Sequence, residues 1–553
     1  MADIVEKTYW PASVPSKLVY KSGERPLHEY LKMHAVQQPD QAAYSFYGNP
    51  ISYSELDYSV DCFAQFLLNQ QIQKGDRVAL YMQNCPQYII AHYAIQRIGG
   101  IVVPLNPMYK ERELQYHLNQ VEAKVIVAGT EVYPRLKQIR SRIPSLQLII
   151  TVHYADFLPK KPLLPIPEEL KAKKYTITDA IDFKRILHYS TPFNGNIEID
   201  LWKDIGMMVF TSGTTGHPKA ARLTYGSSLF KTAATFHANQ FEQGPYLSIA
   251  PLCHIAGMVM GVYLPIYSGE TCVLLMRFDA EAAIQAIEQH KVSHWYSTAP
   301  MNLAIMNYKG VKERDLSSLK QNLATSFGVS VTEQLAKEWA ELTDGCRLYE
   351  AAYGLSETHT CDTFMPKDKV RWGSLGIPSF ETRIKIVDIK TGESLSAGKK
   401  GEILVKNPAI FKGYYKNEEA TGDSLLDGWV RTGDIGSLDE EGYLYFHGRL
   451  KEMIKSSGFS IFPEEVEALL NEHPSISQSA VIGIPDEEKG EVVKAFVVLK
   501  TGIKQKPSAN EIKAWAKVKM AVYKAPTFIE FTKELPATSS GKILRKVLKE
   551  QSK

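Results

Sequence analysis

The stretch Thr211-Ser-Gly-Thr-Thr-Gly-His-Pro-Lys219 carries the strongest local signal in the chain. It lies between two short apolar runs, residues 205–210 and 220–223, which are typical of strands. Its glycines let backbone N–H groups converge on an anion, its hydroxyls add donors, and Lys219 adds a charge suited to phosphate oxygens. A Walker A loop is excluded because His-Pro-Lys-Ala follows Gly216, where that motif requires Lys and then Ser or Thr. A flexible surface turn has a similar composition, so other motifs must decide.

Composition identifies an ordinary globular protein with several folded units. The chain has 553 residues, 44% of them hydrophobic and 23% charged, which predicts two to four units and excludes general disorder. A net charge of +3 produces no dominant field, so charge indicates neither nucleic acid nor an anionic membrane as a partner. The six cysteines form no C-x-x-C pair, and we expect them to be reduced and mostly buried.

The first residues lack the basic segment and apolar core of a secretory signal. The most apolar stretch, residues 255–266, is too short to cross a bilayer, which takes about 20 residues. We therefore expect a cytoplasmic protein without a transmembrane helix and with at most peripheral membrane contact. The sequence does not indicate the oligomeric state.

The pattern of apolar runs changes along the chain and predicts an α/β protein. Residues 27–140 and 204–375 alternate helical stretches with short strands, as in two α/β subdomains. Residues 157–201 are rich in proline and lysine, which indicates a surface crossing between them. From Gly376 short strands separated by turns predict a β-rich subdomain, and residues 449–553 predict a separate small α+β domain.

Four further motifs accompany the glycine-rich loop. They are the runs Tyr353-Gly-Leu-Ser-Glu-Thr358, Trp429-Val-Arg-Thr-Gly-Asp434, Gly448-Arg-Leu-Lys-Glu-Met-Ile-Lys-Ser-Ser-Gly458 and Ser540-Gly-Lys-Ile543. In order and spacing, the five motifs resemble the adenylate-forming superfamily of acyl-CoA synthetases, and the resemblance covers nearly the whole chain. It implies an N-terminal AMP-binding domain over residues 1–448 and a mobile C-terminal domain over residues 449–553, with a hinge at Lys451.

The resemblance implies that ATP activates a carboxylic acid to acyl-AMP, which then passes its acyl group to coenzyme A. Lys542, Glu357 and Lys219 resemble catalytic residues, with Lys542 bridging the carboxylate and the α-phosphate and Glu357 binding Mg²⁺. Gly458 resembles the backbone that lines the coenzyme A tunnel. The nucleotide-binding positions implied by the resemblance are Thr211, Ser212, Gly213, Thr214, Thr215, Gly216, Tyr353, Gly354, Ser356, Asp434, Arg449 and Lys455.

The acyl pocket is expected to include His254, Gly257, Gly328 and Ala352. His254 matches a position where relatives place histidine beside the carboxylate, although a satisfied core histidine would look the same in the sequence. No charged residue occurs between positions 247 and 268, which favours an apolar acyl tail. Relatives usually have Gly-Gly-Ala or Gly-Ala-Ala where this chain has Phe327-Gly328-Val329, so their substrate preference does not transfer directly.

A fatty acid of medium to long chain is the leading substrate, and an aryl acid of the 4-coumarate type is the alternative. Two other functions stay open: an enzyme that loads acyl-AMP onto a carrier protein, and an inactive binding homologue. Dependence on coenzyme A distinguishes the first of these. The expected ligands are a small carboxylic acid, ATP, coenzyme A and Mg²⁺, and no nucleic acid.

Overall fold

The computed structural model describes residues 9–211, 218–326, 329–456, 459–486, 489–503, 505–538 and 542–552. Two seven-stranded sheets form the larger part of the molecule. The first sheet has the spatial order Ile181–Asp182, Leu148–Val152, Val125–Gly129, Arg77–Tyr81, Ile101–Leu105, Ile205–Thr211 and Lys219–Thr224. The second has the order Arg347–Glu350, Gln321–Thr325, His294–Thr298, Tyr246–Ser248, Cys272–Leu274, Ala42–Phe46 and Asn49–Ser52. Each sheet is parallel except for one antiparallel strand at an edge.

Helices cover the faces of these sheets, as parallel strands require. In the order of the chain, the α-helices are Leu27–Gln37, Tyr53–Asn69, Pro86–Arg97, Glu111–Gln120, Tyr133–Ile139, Glu168–Lys171, Phe183–Tyr189, Tyr225–Ala238, Ile255–Met258, Leu264–Ser268, Ala280–His290, Ala299–Met306, Glu333–Leu342, Glu418–Ser424, Pro463–Asn471, Ala509–Lys519 and Arg545–Gln551. Within the described ranges, none of the helices is long and apolar enough to cross a membrane.

The two sheets exchange strands, which the sequence pattern did not predict. The strands Ala42–Phe46 and Asn49–Ser52 come from the first α/β stretch but pair in the second sheet. Conversely, Ile205–Thr211 and Lys219–Thr224 belong to the second stretch but complete the first sheet. Alternating apolar runs identify strands, but they do not specify which neighbour each strand pairs with.

The remaining strands form smaller sheets. A five-stranded antiparallel sheet contains Arg383–Val387, Gly401–Lys406, Trp429–Leu438, Leu425–Leu426 and Leu444–Arg449, as the turn-rich sequence predicted. A pair joins Thr363–Phe364 to Ile377–Pro378. The last sheet contains Phe459–Ile461, Ile454–Ser456, Gly490–Leu499, Ile476–Asp486 and Phe528–Phe531. The mixed α/β class is confirmed. Within this β-rich part of the chain, residues 411–416 form only isolated bridges and no strand.

The strand Arg77–Tyr81 shows how the large core is organised. Its side chains alternate between the two faces of the sheet. Val78 and Leu80 join the apolar core that extends to the second sheet, whereas Ala79 and Tyr81 pack against helices on the opposite face. This parallel sheet therefore has both faces covered, and the loops of the candidate site extend from it.

All six cysteines are free, and four of them are buried, as expected.

A fully buried ion pair fixes the segment that follows the second sheet. Lys231 Nζ, in the helix Tyr225–Ala238, lies 2.6 Å from Asp362 Oδ1, and both side chains are inaccessible to solvent. Asp362 also accepts hydrogen bonds from Asn407 Nδ2, at 2.8 Å, and from the hydroxyl of Thr358. Lys231 Nζ donates in addition to the carbonyl oxygen of Cys361. Three parts of the chain therefore converge on one carboxylate.

We expect Lys231→Met to lower the free energy of unfolding by about 3–5 kcal/mol, because it leaves a buried carboxylate without its cation. Thermal and urea denaturation would measure the loss. Adding Asp362→Leu should recover part of it. Lys203→Met is the control, because it breaks an ion pair with Asp200 at the surface and should leave unfolding unchanged. An equal effect of the two single lysine variants would contradict this role.

Candidate active site

One cavity of about 1050 Å³ gathers most of the predicted site residues. Its wall contains the ends of strands from both large sheets, the antiparallel sheet and the segment that contains Lys542. The predicted residues that line it are Thr211, Lys219, His254, Ala352, Tyr353, Gly354, Ser356, Glu357, Asp434, Arg449, Lys451 and Lys542. Ser212, Gly213, Thr214, Thr215, Gly216, Gly328 and Gly458 lie outside the described residues.

Lys219 and Glu357 form the wall beside the glycine-rich loop. Thr211 and Lys219 are paired across two antiparallel strands, so the loop between them starts and ends at the same edge of the sheet. Lys219 Nζ lies 4.8 Å from the ring centroid of Tyr414, and the Tyr414 hydroxyl donates to Glu357 Oε1 at 2.7 Å. The aromatic ring therefore separates a buried cation from a carboxylate, and both can face a polyphosphate. Tyr414 lies outside the five motifs and was not predicted.

Tyr353, Asp434 and Arg449 form a connected group. The Tyr353 hydroxyl donates to Asp434 Oδ2 at 2.8 Å, and Arg449 Nε lies 3.1 Å from Asp434 Oδ1. Asp434 and Arg449 face each other on neighbouring strands. Burial raises the pKa of the Asp434 carboxyl group, and the Arg449 charge opposes this shift. Tyr353 therefore orients the carboxylate that is predicted to bind ribose.

The backbone beyond Tyr353 makes a tight turn. His359, Thr360 and Cys361 have φ angles of 59°, 54° and 50°, a left-handed conformation that is strained for residues other than glycine. A Cβ atom on Gly354 would lie 2.6 Å from the Cα atom of Thr360. Glycine at position 354 thus permits this close approach between two backbone segments.

Lys542 enters the cavity from a turn near the C-terminus. Its N–H group donates to Thr538 Oγ1 at 3.1 Å, and its carbonyl oxygen accepts from Thr538 N–H at 2.8 Å. Solvent in the cavity reaches its side chain, and the cavity walls remove part of its hydration. This desolvation, reinforced by the charge of Arg449, lowers the pKa of Lys542 to about 8. Burial, with a contribution from Lys542, also lowers the pKa of His254 to about 4, so His254 is neutral near pH 7.

Arg545 anchors the Lys542 segment, a role that the sequence did not predict. Its guanidinium group lies 2.7 Å from a carboxylate oxygen of Glu464 and 2.7 Å from one of Glu467, and it also pairs with Glu452. Glu452 directly follows Lys451, the predicted hinge. These ion pairs connect the hinge to the helix that begins three residues after Lys542.

Two predicted residues do not line the cavity. Lys455 is exposed, and its N–H group donates to Glu491 Oε2 at 2.8 Å. Gly257 is buried in a short helix, where a Cβ atom would lie 2.2 Å from the carbonyl oxygen of Pro251. Its small size serves close packing in this arrangement. The cavity instead includes Glu350, a carboxyl group outside the uncharged stretch 247–268.

The chain matches two family models. The model "AMP-binding enzyme" covers residues 31–415, and the model "AMP-binding enzyme C-terminal domain" covers residues 465–542. The chain belongs to the AMP-binding enzyme family. This agrees with the resemblance carried by the five motifs.

Relatives of this AMP-binding enzyme cover almost its whole length. It is 35% identical to a long-chain-fatty-acid–CoA ligase of Bacillus subtilis (strain 168), over 98% of this chain and 97% of the relative. It is 29% identical to a probable 4-coumarate–CoA ligase 1 of Dictyostelium discoideum, over 98% of each chain. The crystal structure of an anthranilate CoA ligase with anthranoyl-AMP has the same fold, with a TM-score of 0.83 at 24% identity over 96% of this chain and 98% of that one.

We expect Tyr353→Phe to raise the KM for ATP about tenfold with a smaller effect on kcat, because Asp434 loses a hydrogen bond that orients it. Steady-state kinetics with varied ATP would measure this split. Tyr349→Phe is the matched control, since Tyr349 is a buried tyrosine four residues earlier that does not line the cavity. An unchanged KM for ATP in the Tyr353 variant would contradict the assignment.

Proposed function

We propose that this AMP-binding enzyme joins a fatty acid of medium to long chain to coenzyme A through an acyl-AMP intermediate. The convergence of Lys219, Glu357, Asp434, Arg449 and Lys542 on one cavity is the observation that carries the proposal. These residues provide the cations and carboxylates that two anionic substrates and a ribose require. The identity to the Bacillus subtilis ligase supports a fatty acid as the substrate.

In the proposed first step, a carboxylate oxygen of the fatty acid attacks the α-phosphorus of ATP. A bond forms between that oxygen and phosphorus, and the bond to pyrophosphate breaks. Lys542 stabilises charge on the carboxylate and the α-phosphate, and Lys219 stabilises charge on the departing phosphates. Asp434 accepts hydrogen bonds from the ribose hydroxyls, and Arg449 holds the orientation of Asp434.

We propose that Glu357 supplies the protein ligand for Mg²⁺. Its Oε1 atom accepts from Tyr414, which leaves the second oxygen of the carboxylate to face a cation. The described residues contain no cluster of three or more ligating side chains, so phosphate oxygens would provide most of the coordination. This fits Mg²⁺, which commonly takes one or two carboxylates and substrate phosphates and neutralises charge on them.

In the proposed second step, the sulfur of coenzyme A attacks the acyl carbon, and AMP leaves. We propose the division into residues 1–448 and 449–553, with rotation at Lys451 that withdraws Lys542 after the first step and brings Gly458 to the coenzyme A channel. We further propose a cytoplasmic location, which the six free thiols support.

An aryl acid is the second candidate substrate, supported by the similarity to the Dictyostelium protein. Pyrophosphate release with ATP and Mg²⁺ distinguishes the two over acetate, octanoate, palmitate, 4-coumarate and benzoate, each with and without coenzyme A. A maximum with octanoate or palmitate that yields a thioester supports the proposal. A maximum with an aromatic acid supports the alternative, acyl-AMP without thioester indicates a carrier protein as the acceptor, and no reaction indicates an inactive binding homologue.

Lys542→Ala should abolish pyrophosphate release yet still convert supplied acyl-AMP and coenzyme A to thioester, because Lys542 acts only in the first step. Quenched-flow assays of each half-reaction would measure this. Lys451→Pro should show the opposite pattern, since it stiffens the proposed hinge. Equal losses in both half-reactions for Lys542→Ala would refute the division.

The kcat/KM of the first half-reaction should decline above about pH 8. The pKa of Lys542 in the free enzyme is lowered to about 8, so the lysine loses its proton, and its charge, as the pH rises through that value. Lys542→Arg should be slower but should lack this alkaline decline, because a guanidinium group stays charged. An alkaline decline retained by the arginine variant would assign the titration to another group.

A further inference from the structure

A buried carboxyl group holds part of the cavity wall. Glu350 ends the strand Arg347–Glu350, is 7% exposed and lines the cavity. Its Oε1 atom accepts from Ser326 N–H at 3.2 Å, and its Oε2 atom accepts from the Ser326 hydroxyl. The Ser326 oxygen in turn accepts from Val331 N–H at 2.9 Å. Glu350 therefore holds Ser326 directly and Val331 through the Ser326 hydroxyl group, at the two ends of the sequence segment 326–331.

This segment contains the position where the sequence departs from its relatives. Phe327, Gly328 and Val329 replace the usual glycine-alanine string, and the first two lie outside the described residues. The flanking residues Ser326 and Val331 are described, and both line the cavity. The residues held by Glu350 therefore flank the unusual string in the sequence.

The surroundings of Glu350 offer it little charge compensation. The strands Gln321–Thr325 and Arg347–Glu350 are parallel neighbours, with Ala324 beside Glu350. The Tyr296 hydroxyl group forms a hydrogen bond with Thr325 Oγ1 at 3.0 Å. Tyr296 and Cys361 are titratable groups near Glu350. No lysine or arginine among the described residues forms an ion pair with Glu350. Burial raises the pKa of Glu350 to about 7, and the hydrogen bonds from Ser326 limit the rise.

We propose that Glu350 is a positioning residue that fixes Ser326, and through it Val331, in the cavity wall and thereby sets which acyl groups the cavity admits. This inference rests on the proposed function, because it concerns the acid that is activated. Glu350 acts through Ser326, whose hydroxyl group and N–H group make the contacts. A buried carboxyl group costs stability, so its presence in place of an apolar side chain indicates a role in shaping this wall.

The test compares Glu350→Ala, Glu350→Gln, Ser326→Ala and the double alanine variant over palmitate, octanoate and 4-coumarate. Loss of the hydrogen bonds should change the ratio of kcat/KM between two acids about tenfold and leave kcat within about twofold. Ser326→Ala should reproduce this change, and the double variant should not exceed either single variant. Glu350→Gln should retain the wild-type ratio, because an amide can both accept from Ser326 N–H and donate to Ser326 Oγ.

Glu338→Gln on the helix Glu333–Leu342 is the matched control, since Glu338 is exposed and does not line the cavity. Equal losses for every acid, or a changed ratio in Glu350→Ala without one in Ser326→Ala, would overturn the proposal. Silence of the wild-type enzyme on all acids would instead overturn the proposed function.

A measurement independent of turnover completes the test. The raised pKa means that Glu350 holds its proton more tightly in the folded state, so its contribution to stability falls as the pH rises from about 4.5 to about 7. The melting temperature of the wild type should therefore drop more between pH 5 and pH 8 than that of Glu350→Gln. Identical pH dependence of the two proteins would overturn the buried position assigned to the carboxyl group.

Discussion

The buried ion pair between Lys231 and Asp362 is the interaction on which the site depends most. It lies directly after the left-handed turn at His359, Thr360 and Cys361, and the strain of that turn must be balanced by contacts around it. Asp362 N–H also donates to the carbonyl oxygen of Tyr353 at 2.7 Å. The pair thereby fixes the chain on both sides of Glu357, so the metal-binding carboxylate proposed here and the tyrosine that orients Asp434 share one buried anchor.

Side chains of opposite charge lie around the cavity and partly neutralise each other. Arg449 neutralises Asp434, and Arg545 compensates Glu452, Glu464 and Glu467. Desolvation by the cavity walls, reinforced by the positive charge of Arg449, lowers the pKa of Lys542. An incoming anion would stabilise the protonated form of Lys542 and relieve this repulsion. Binding of ATP and the protonation state of Lys542, the proposed catalytic lysine, are therefore coupled through charge.

The sequence predicted the parts of the structure that depend on local pattern. The helix Ala280–His290 buries Ala282, Ile284 and Ile287, whose spacing in the sequence is typical of a buried helix face, and Ser508 with Glu511 forms a capping box. The motifs also located most of the residues that line the cavity. Motif residues are identifiable because a specific chemistry requires their side chains at fixed spacing.

Long-range contacts were not predictable from the same patterns. The strand exchange between the two large sheets depends on pairing partners that are more than 100 residues apart, such as Tyr44 with Cys272 and Val102 with Met207. Glu350, Tyr414 and Arg545 acquire their roles only from neighbours brought together by the fold. Gly257 had the small side chain expected of a pocket residue, but close packing against Pro251 accounts for it.

The formation of acyl-AMP before coenzyme A is added tests the central claim most directly. The protein would be mixed with palmitate, ATP and Mg²⁺, and the products identified by mass before and after addition of coenzyme A. The account predicts palmitoyl-AMP and pyrophosphate first, and then palmitoyl-CoA and AMP. Release of ADP and phosphate, or a thioester formed without any adenylate in single-turnover samples, would contradict it.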